Sequence, residues 1–186
     1  SFGEPAPVNM NPAGKRFLSL QADPAGGRVF GTWIDKRGLA AAEAANRPYA
    51  GAALAGAWLD VATGRFGEPL IIQEHTCECC RIGLAFAGPG RPIVTWRNFF
   101  GPARDHAILT FNGPDQPGPL HRVSDDEWEI EACPHHGPAL ALGGDGSYQV
   151  AWFTNSNRRQ GVFHAWSGDQ GRSFSAPRPL GNPDRQ

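Results

Sequence analysis

One tryptophan, returning three times in the same setting, constrains this chain more than any other feature. Gly31-Thr32-Trp33-Ile34-Asp35, Val94-Thr95-Trp96-Arg97-Asn98 and Val150-Ala151-Trp152-Phe153-Thr154 are three versions of one strand end. Each follows a segment with alternating apolar residues: Leu18 and Leu20, Leu84 and Phe86, Leu140 and Leu142. A glycine-bearing turn separates the two segments each time, at 23–27, 88–90 and 143–146. Two alternating segments around a tight turn predict a β-hairpin. A third strand is expected at 53–59, 106–111 and 161–166, and a short fourth at 66–72, 120–123 and 174–180. The register of Trp33, Trp96 and Trp152 marks them as residues that pack one sheet on the next.

Four short strands in about 50 to 65 residues match the size of a β-propeller blade. The predicted fold class is therefore all-β, a β-propeller of four-stranded antiparallel blades. Three blades are expected, over 14–72, 80–123 and 136–181. Ser1-Phe2-Gly3-Glu4-Pro5 matches Arg65-Phe66-Gly67-Glu68-Pro69 and Ser173-Phe174-Ser175-Ala176-Pro177. Residues 1–9 thus read as the outer strand of a preceding blade. Closed propellers need about four to eight blades. The expectation is a part of a six-bladed ring. The remaining blades would come from a longer parent chain or from a second copy in a two-chain ring.

Composition narrows the partners. The formal net charge is −1 and the pI about 6.6, which argues against a nucleic-acid partner. Only Lys15 and Lys36 are lysines, so arginine carries nearly all positive charge. No apolar run approaches a membrane span. The chain begins at Ser1, which allows for a removed leader, and four cysteines allow an oxidising compartment. A periplasmic or secreted location is expected.

In a four-stranded antiparallel blade the connections alternate between two faces. The links between blades and the loops from second to third strand share one face. That face would carry Asp35, Arg37 and Tyr49, then Arg97 and Arg104, then Arg158. It would also carry both links, His75-Thr76-Cys77-Glu78-Cys79-Cys80-Arg81 and 124–136, the latter ending in Cys133-Pro134-His135-His136. The Ala-rich stretch 38–46 predicts a short helix stopped by Pro48. The cysteines admit three readings, free thiols being one. Cys77–Cys80 with Cys79–Cys133, or a single link to Cys133, would make a disulfide staple. Alternatively Cys77, Cys79, Cys80 and Cys133, with His135 and His136, would hold copper or zinc. Trp128 lies outside the repeat register and is a ligand-contact candidate.

The turn Ser167-Gly168-Asp169-Gln170-Gly171-Arg172-Ser173-Phe174 fits S-x-D-x-G-x-x-F. It resembles the Asp box of the sialidase-like, or BNR-repeat, propellers. Asp60-Val61-Ala62-Thr63-Gly64-Arg65-Phe66 is a degenerate copy. The CxCC stretch and Cys133-Pro134-His135-His136-Gly137-Pro138 are similar to a bacterial exported group of that family. The resemblance implies a face that binds an anionic or glycan ligand. Arg37, Arg97, Arg104, Trp128 and Arg158 are the candidate contacts. Sialidases use an arginine clamp, a tyrosine nucleophile and an aspartate acid/base. Here Arg81, Tyr49 and Asp35 are the comparable residues, and Arg81-Ile82-Gly83 lacks the proline of the family's Arg-Ile-Pro. The expected function is a sialidase-like propeller that binds an anionic small molecule or glycan without sialidase catalysis. The alternatives are a periplasmic copper- or zinc-binding propeller and an exo-sialidase-type glycoside hydrolase.

Overall fold

The computed structural model describes residues 4–5, 7–8 and 14–181. The outer strand expected at 1–9 falls largely outside the described residues. The rest is all-β apart from one short helix, arranged as three antiparallel sheets. The first sheet holds β1 (Lys15–Ala22), β2 (Arg28–Asp35) and β3 (Ala52–Asp60), with α1 (Leu39–Ala44) between β2 and β3. Against the free edge of β3 run β4 (Arg65–Phe66) and β5 (Leu70–Thr76). The second sheet runs β6 (Gly83–Phe86), β7 (Pro92–Arg97), β8 (His106–Gly113), with β9 (Gln116–Pro117) and β10 (His121–Arg122) both on β8. The third is β11 (Ala139–Leu142), β12 (Tyr148–Asn155), β13 (Gln160–Ser167) and β14 (Arg178–Pro179).

The strand expected at 66–72 is broken. Gly67 donates its amide to the Trp58 carbonyl, and Pro69 has no amide to offer the ladder. The chain re-enters as β5 and stays paired with β3 as far as Thr76. That extension carries the chain directly into the cysteine stretch.

The sheets pack face to face. Phe30, Ile34 and Leu54 of the first sheet meet Phe86, Trp96 and Phe111 of the second. Ile93 and Ile108, on the opposite face of the second sheet, meet Tyr148, Val150 and Trp152 of the third. Because the middle sheet is covered on both faces, every residue of β7 is buried. Its sequence Pro-Ile-Val-Thr-Trp-Arg accordingly shows no polar alternation. The flanking strand β12 is covered on one face, and its burial alternates. First strands are neighbours too, β1 beside β6 and β6 beside β11.

The repeated tryptophans are buried, and their partners explain the repeat. An indole N–H in a core needs an acceptor. Trp33 donates to Asp35 at 3.2 Å, and Trp96 to Asn98 at 3.3 Å. In the third copy Thr154 occupies that position, and Trp152 donates instead to Asp126 of the preceding link, at 2.7 Å. The turn 167–174 is built on its aspartate. Asp169 accepts from the Ser173 hydroxyl at 2.6 Å, the Ser173 amide at 2.9 Å and the Ser167 hydroxyl at 2.7 Å. These bonds hold its carboxyl well below the usual range, the Ser173 hydroxyl contributing most. Gly171 supplies the left-handed backbone the turn needs, at φ 84°. Asp60 does the same in the first copy, accepting from the Thr63 amide and hydroxyl.

Candidate functional site

Two neighbouring features lie where β5 runs out, a pocket and a thiol cluster. The pocket, about 300 Å³, is enclosed by the α1 loop, the start of β3 and the end of β5. Asp35, Arg37, Arg47, Tyr49, Glu74 and His75 supply its polar lining. α1 closes one side. It ends at Ala44; Asn46 beyond it, with φ of 48°, suits the left-handed position after a helix, and Arg47 follows. Asp35 is buried and committed: it accepts from the Trp33 indole, the Arg37 amide at 2.9 Å and the Arg37 guanidinium at 2.6 Å. Tyr49 turns its hydroxyl inward, where it meets no hydrogen-bond partner. Burial, and then the charges of Glu78, Asp35 and Glu74, push its phenol up to about 12. Lys36 lies 5.8 Å from its ring centre and pairs with Glu78 at 2.8 Å.

The thiol cluster begins two residues past Glu74's neighbour His75. Thr76 anchors it: its hydroxyl donates to the Arg97 carbonyl at 3.1 Å, and its backbone bridges to Asn98. The next turn then folds Cys77, Cys79 and Cys80 inward together, each almost wholly buried. Their sulfurs lie 3.5 Å (Cys77 to Cys79) and 3.9 Å (Cys79 to Cys80) apart, and all three within 4.8 Å of one another. All four cysteines are free thiols, and Cys133 is exposed. Hydrogen bonds from Cys79 and Cys80 hold Cys77 far below an ordinary thiol. Bonding to Cys77 in turn drives Cys79 up strongly and Cys80 to about 11.

The second link comes to the same place. His135 Nδ1 lies 3.0 Å from the Cys79 carbonyl oxygen. Gly137 crosses the backbone of Arg81 so closely that a Cβ there would stand 2.0 Å from the Arg81 carbonyl oxygen. Arg97 binds the junction from below. It is 1 % exposed and donates to the carbonyls of Arg104 (2.6 Å), His136 (3.1 Å) and Phe153 (3.1 Å). Its guanidinium also lies 4.7 Å from the centre of the Trp128 ring.

The sequence candidates therefore fall into distinct settings. Asp35, Arg37 and Tyr49 share the pocket. Cys77, Cys79 and Cys80 form the thiol cluster, with His135 on the Cys79 carbonyl and Cys133 exposed on the same link. Arg97, Trp128 and His136 join the sheets beneath, Trp128 being buried edge-on to Phe153 and His136 lying tilted against the same ring at 4.8 Å. Arg104 donates to the Ala132 carbonyl at 3.1 Å. Arg158 makes surface ion pairs with Asp125 and Glu127. Arg81 is exposed and lines neither. Arg47 and Glu74 escaped the sequence reading. Their only signals were position, Arg47 before the helix-stopping Pro48 and Glu74 at the head of the cysteine stretch.

No protein-family model matches the chain, and no curated protein matches it in sequence. Solved structures do resemble it. A protein of unknown function from Dyadobacter fermentans DSM 18053 aligns over 97% of this chain and 55% of its own, with TM-score 0.61 and 15% identity. A Hadza microbial sialidase aligns over 88% of this chain and 37% of its own, with TM-score 0.52 and 11% identity. An ulvan lyase, from a new family of polysaccharide lyase and bound to GlcA(1-4)Rha3S units, aligns over 92% and 41%, with TM-score 0.51 and 10% identity. The chain thus has a β-rich fold like those of sialidases and other glycan-active proteins, and it spans about half or less of their length. Among the described residues no helix is long and apolar enough to cross a membrane.

Proposed function

We propose that this chain is the part of a sialidase-like β-propeller that holds an acidic saccharide in the pocket beside α1, and that it does so without sialidase catalysis. The pocket composition carries the reading. Arg47 is exposed and has no ion-pair partner among the described residues, so it is free to meet a carboxylate or sulfate. Glu74 and the unbonded Tyr49 hydroxyl offer an acceptor and a donor for sugar hydroxyls. Glycan-active neighbours of similar fold, one of them bound to an acidic polysaccharide, support the substrate class.

The same geometry speaks against glycoside hydrolysis. A tyrosine nucleophile needs a base to take its proton, but no carboxylate bonds to Tyr49, and three nearby carboxylates disfavour its phenolate. Asp35 is spent on Trp33 and Arg37. Arg81 lies outside the lining. The test is calorimetry with uronic-acid, sulfated and neutral oligosaccharides, together with a fluorogenic sialoside. Binding of acidic saccharides that Arg47→Ala weakens roughly tenfold, with no sialoside turnover, is expected. That factor corresponds to the loss of about 1.4 kcal/mol. Sialoside turnover abolished by Tyr49→Phe would overturn the reading.

A further inference from the structure

We infer that Cys77, Cys79 and Cys80 form a binding site for one thiophilic metal ion, Cu(I) or Zn(II), with Cys133 of the second link as a fourth sulfur donor. Three observations converge on it. The first is spacing. Thiolates about 2.3 Å from a shared zinc stand about 3.8 Å from one another in a tetrahedron. The sulfurs here, 3.5 and 3.9 Å apart, already bracket that value without any rearrangement of the backbone.

The second observation is charge. Arg97 is buried, donates to backbone carbonyls and lies over the Trp128 ring, with no carboxylate in ion-pair reach among the described residues. A buried guanidinium calls for an anion nearby. Arg97 and Arg104 place two cations on the link that carries Cys133, at the His136 and Ala132 carbonyls, where a thiolate-rich centre of net negative charge would be balanced. The third observation is access. The trio is sealed, whereas Cys133 beside it is exposed and belongs to the other link. Its sulfur stands outside the 4.8 Å trio, on the link that His135 ties to the Cys79 carbonyl, and would swing in to close a tetrahedral Zn(II) site or to pass Cu(I) into a three-sulfur site. His135 of the same link meets the Cys79 carbonyl oxygen at 3.0 Å. This inference does not rest on the saccharide reading, and neither falls with the other.

The experiment uses the full chain, reduced and free of metal, under anaerobic conditions. It is titrated with Cu(I) and separately with Zn(II), each in competition with a chromogenic chelator, and the thiols are counted before and after. One ion per chain is expected, with at least three thiols lost to the counting reagent and, for Co(II) in place of Zn(II), thiolate-to-metal charge-transfer absorption. Cys79→Ser should weaken binding roughly 100-fold, more than the loss of a supporting group does. Because Cys79 is buried, near-ultraviolet circular dichroism of the tryptophans checks that the variant is folded. The exposed Cys133→Ser should weaken Zn(II) by roughly tenfold and leave Cu(I) nearly unchanged. Failure of the reduced wild type to take up either ion, or wild-type affinity in folded Cys79→Ser, overturns the inference.

Discussion

Replacing Arg97 separates two roles that its sequence position left open, ligand clamp and structural tie. Its guanidinium satisfies three carbonyls, one each on the loop after β7, the link 133–138 and β12. Arg97→Met keeps the length of the stem and removes every donor. Each carbonyl left dry costs about 1 kcal/mol or more, and loss of contact with Trp128 adds about 0.5–1 kcal/mol, so the total is about 3–5 kcal/mol. Arg97→Lys restores the charge but not the fork, and should recover less than half of the loss. Urea unfolding followed by tryptophan fluorescence reads the difference. At about 2–4 °C per kcal/mol for a chain of this size, melting should fall by roughly 10 °C. A Met variant within about 0.5 kcal/mol of wild type would refute the structural role.

Two further outcomes follow from buried groups. His106 is wholly buried with both ring nitrogens unbonded, and burial followed by the charge of Arg97 holds its pKa well below the usual value. The folded protein therefore keeps His106 neutral while the unfolded chain protonates it below about pH 6.5. Its contribution is fully present above that pH and is lost below it, by up to about 1.4 kcal/mol per pH unit. Stability curves of wild type and His106→Phe between pH 7 and pH 5 should diverge by that slope, and parallel curves would contradict it. Gly137→Ala drives a methyl into the Arg81 backbone and should cost at least about 2 kcal/mol. Urea denaturation tests it, and a neutral result would mean that the two links do not cross there.

Much of the fold was legible because each unit repeats a physical need. The tryptophan register marks where an indole must be buried and bonded, and the turn residues mark left-handed backbone. Strand order and pairing within each sheet follow from that pattern. What stayed hidden depends on contacts far apart in sequence. Nothing local to Trp152 reveals that Asp126 replaces the missing acceptor at Thr154. Likewise Arg97 reads as an exposed loop cation, yet the packing of the third sheet buries it. Within the site, the thiols, Asp35, Arg37 and Tyr49 were visible as unusual residues. Arg47 and Glu74 were not, because a single exposed charge gains meaning only from the cavity it borders.

The pocket itself is tested most directly by mapping backbone amide shifts on titration with a uronic-acid oligosaccharide. The account predicts saturable changes concentrated in residues 35–53 and 74–75, which enclose the cavity. Changes confined to the opposite rim around Asp169, or no saturable change with any acidic saccharide, would contradict it.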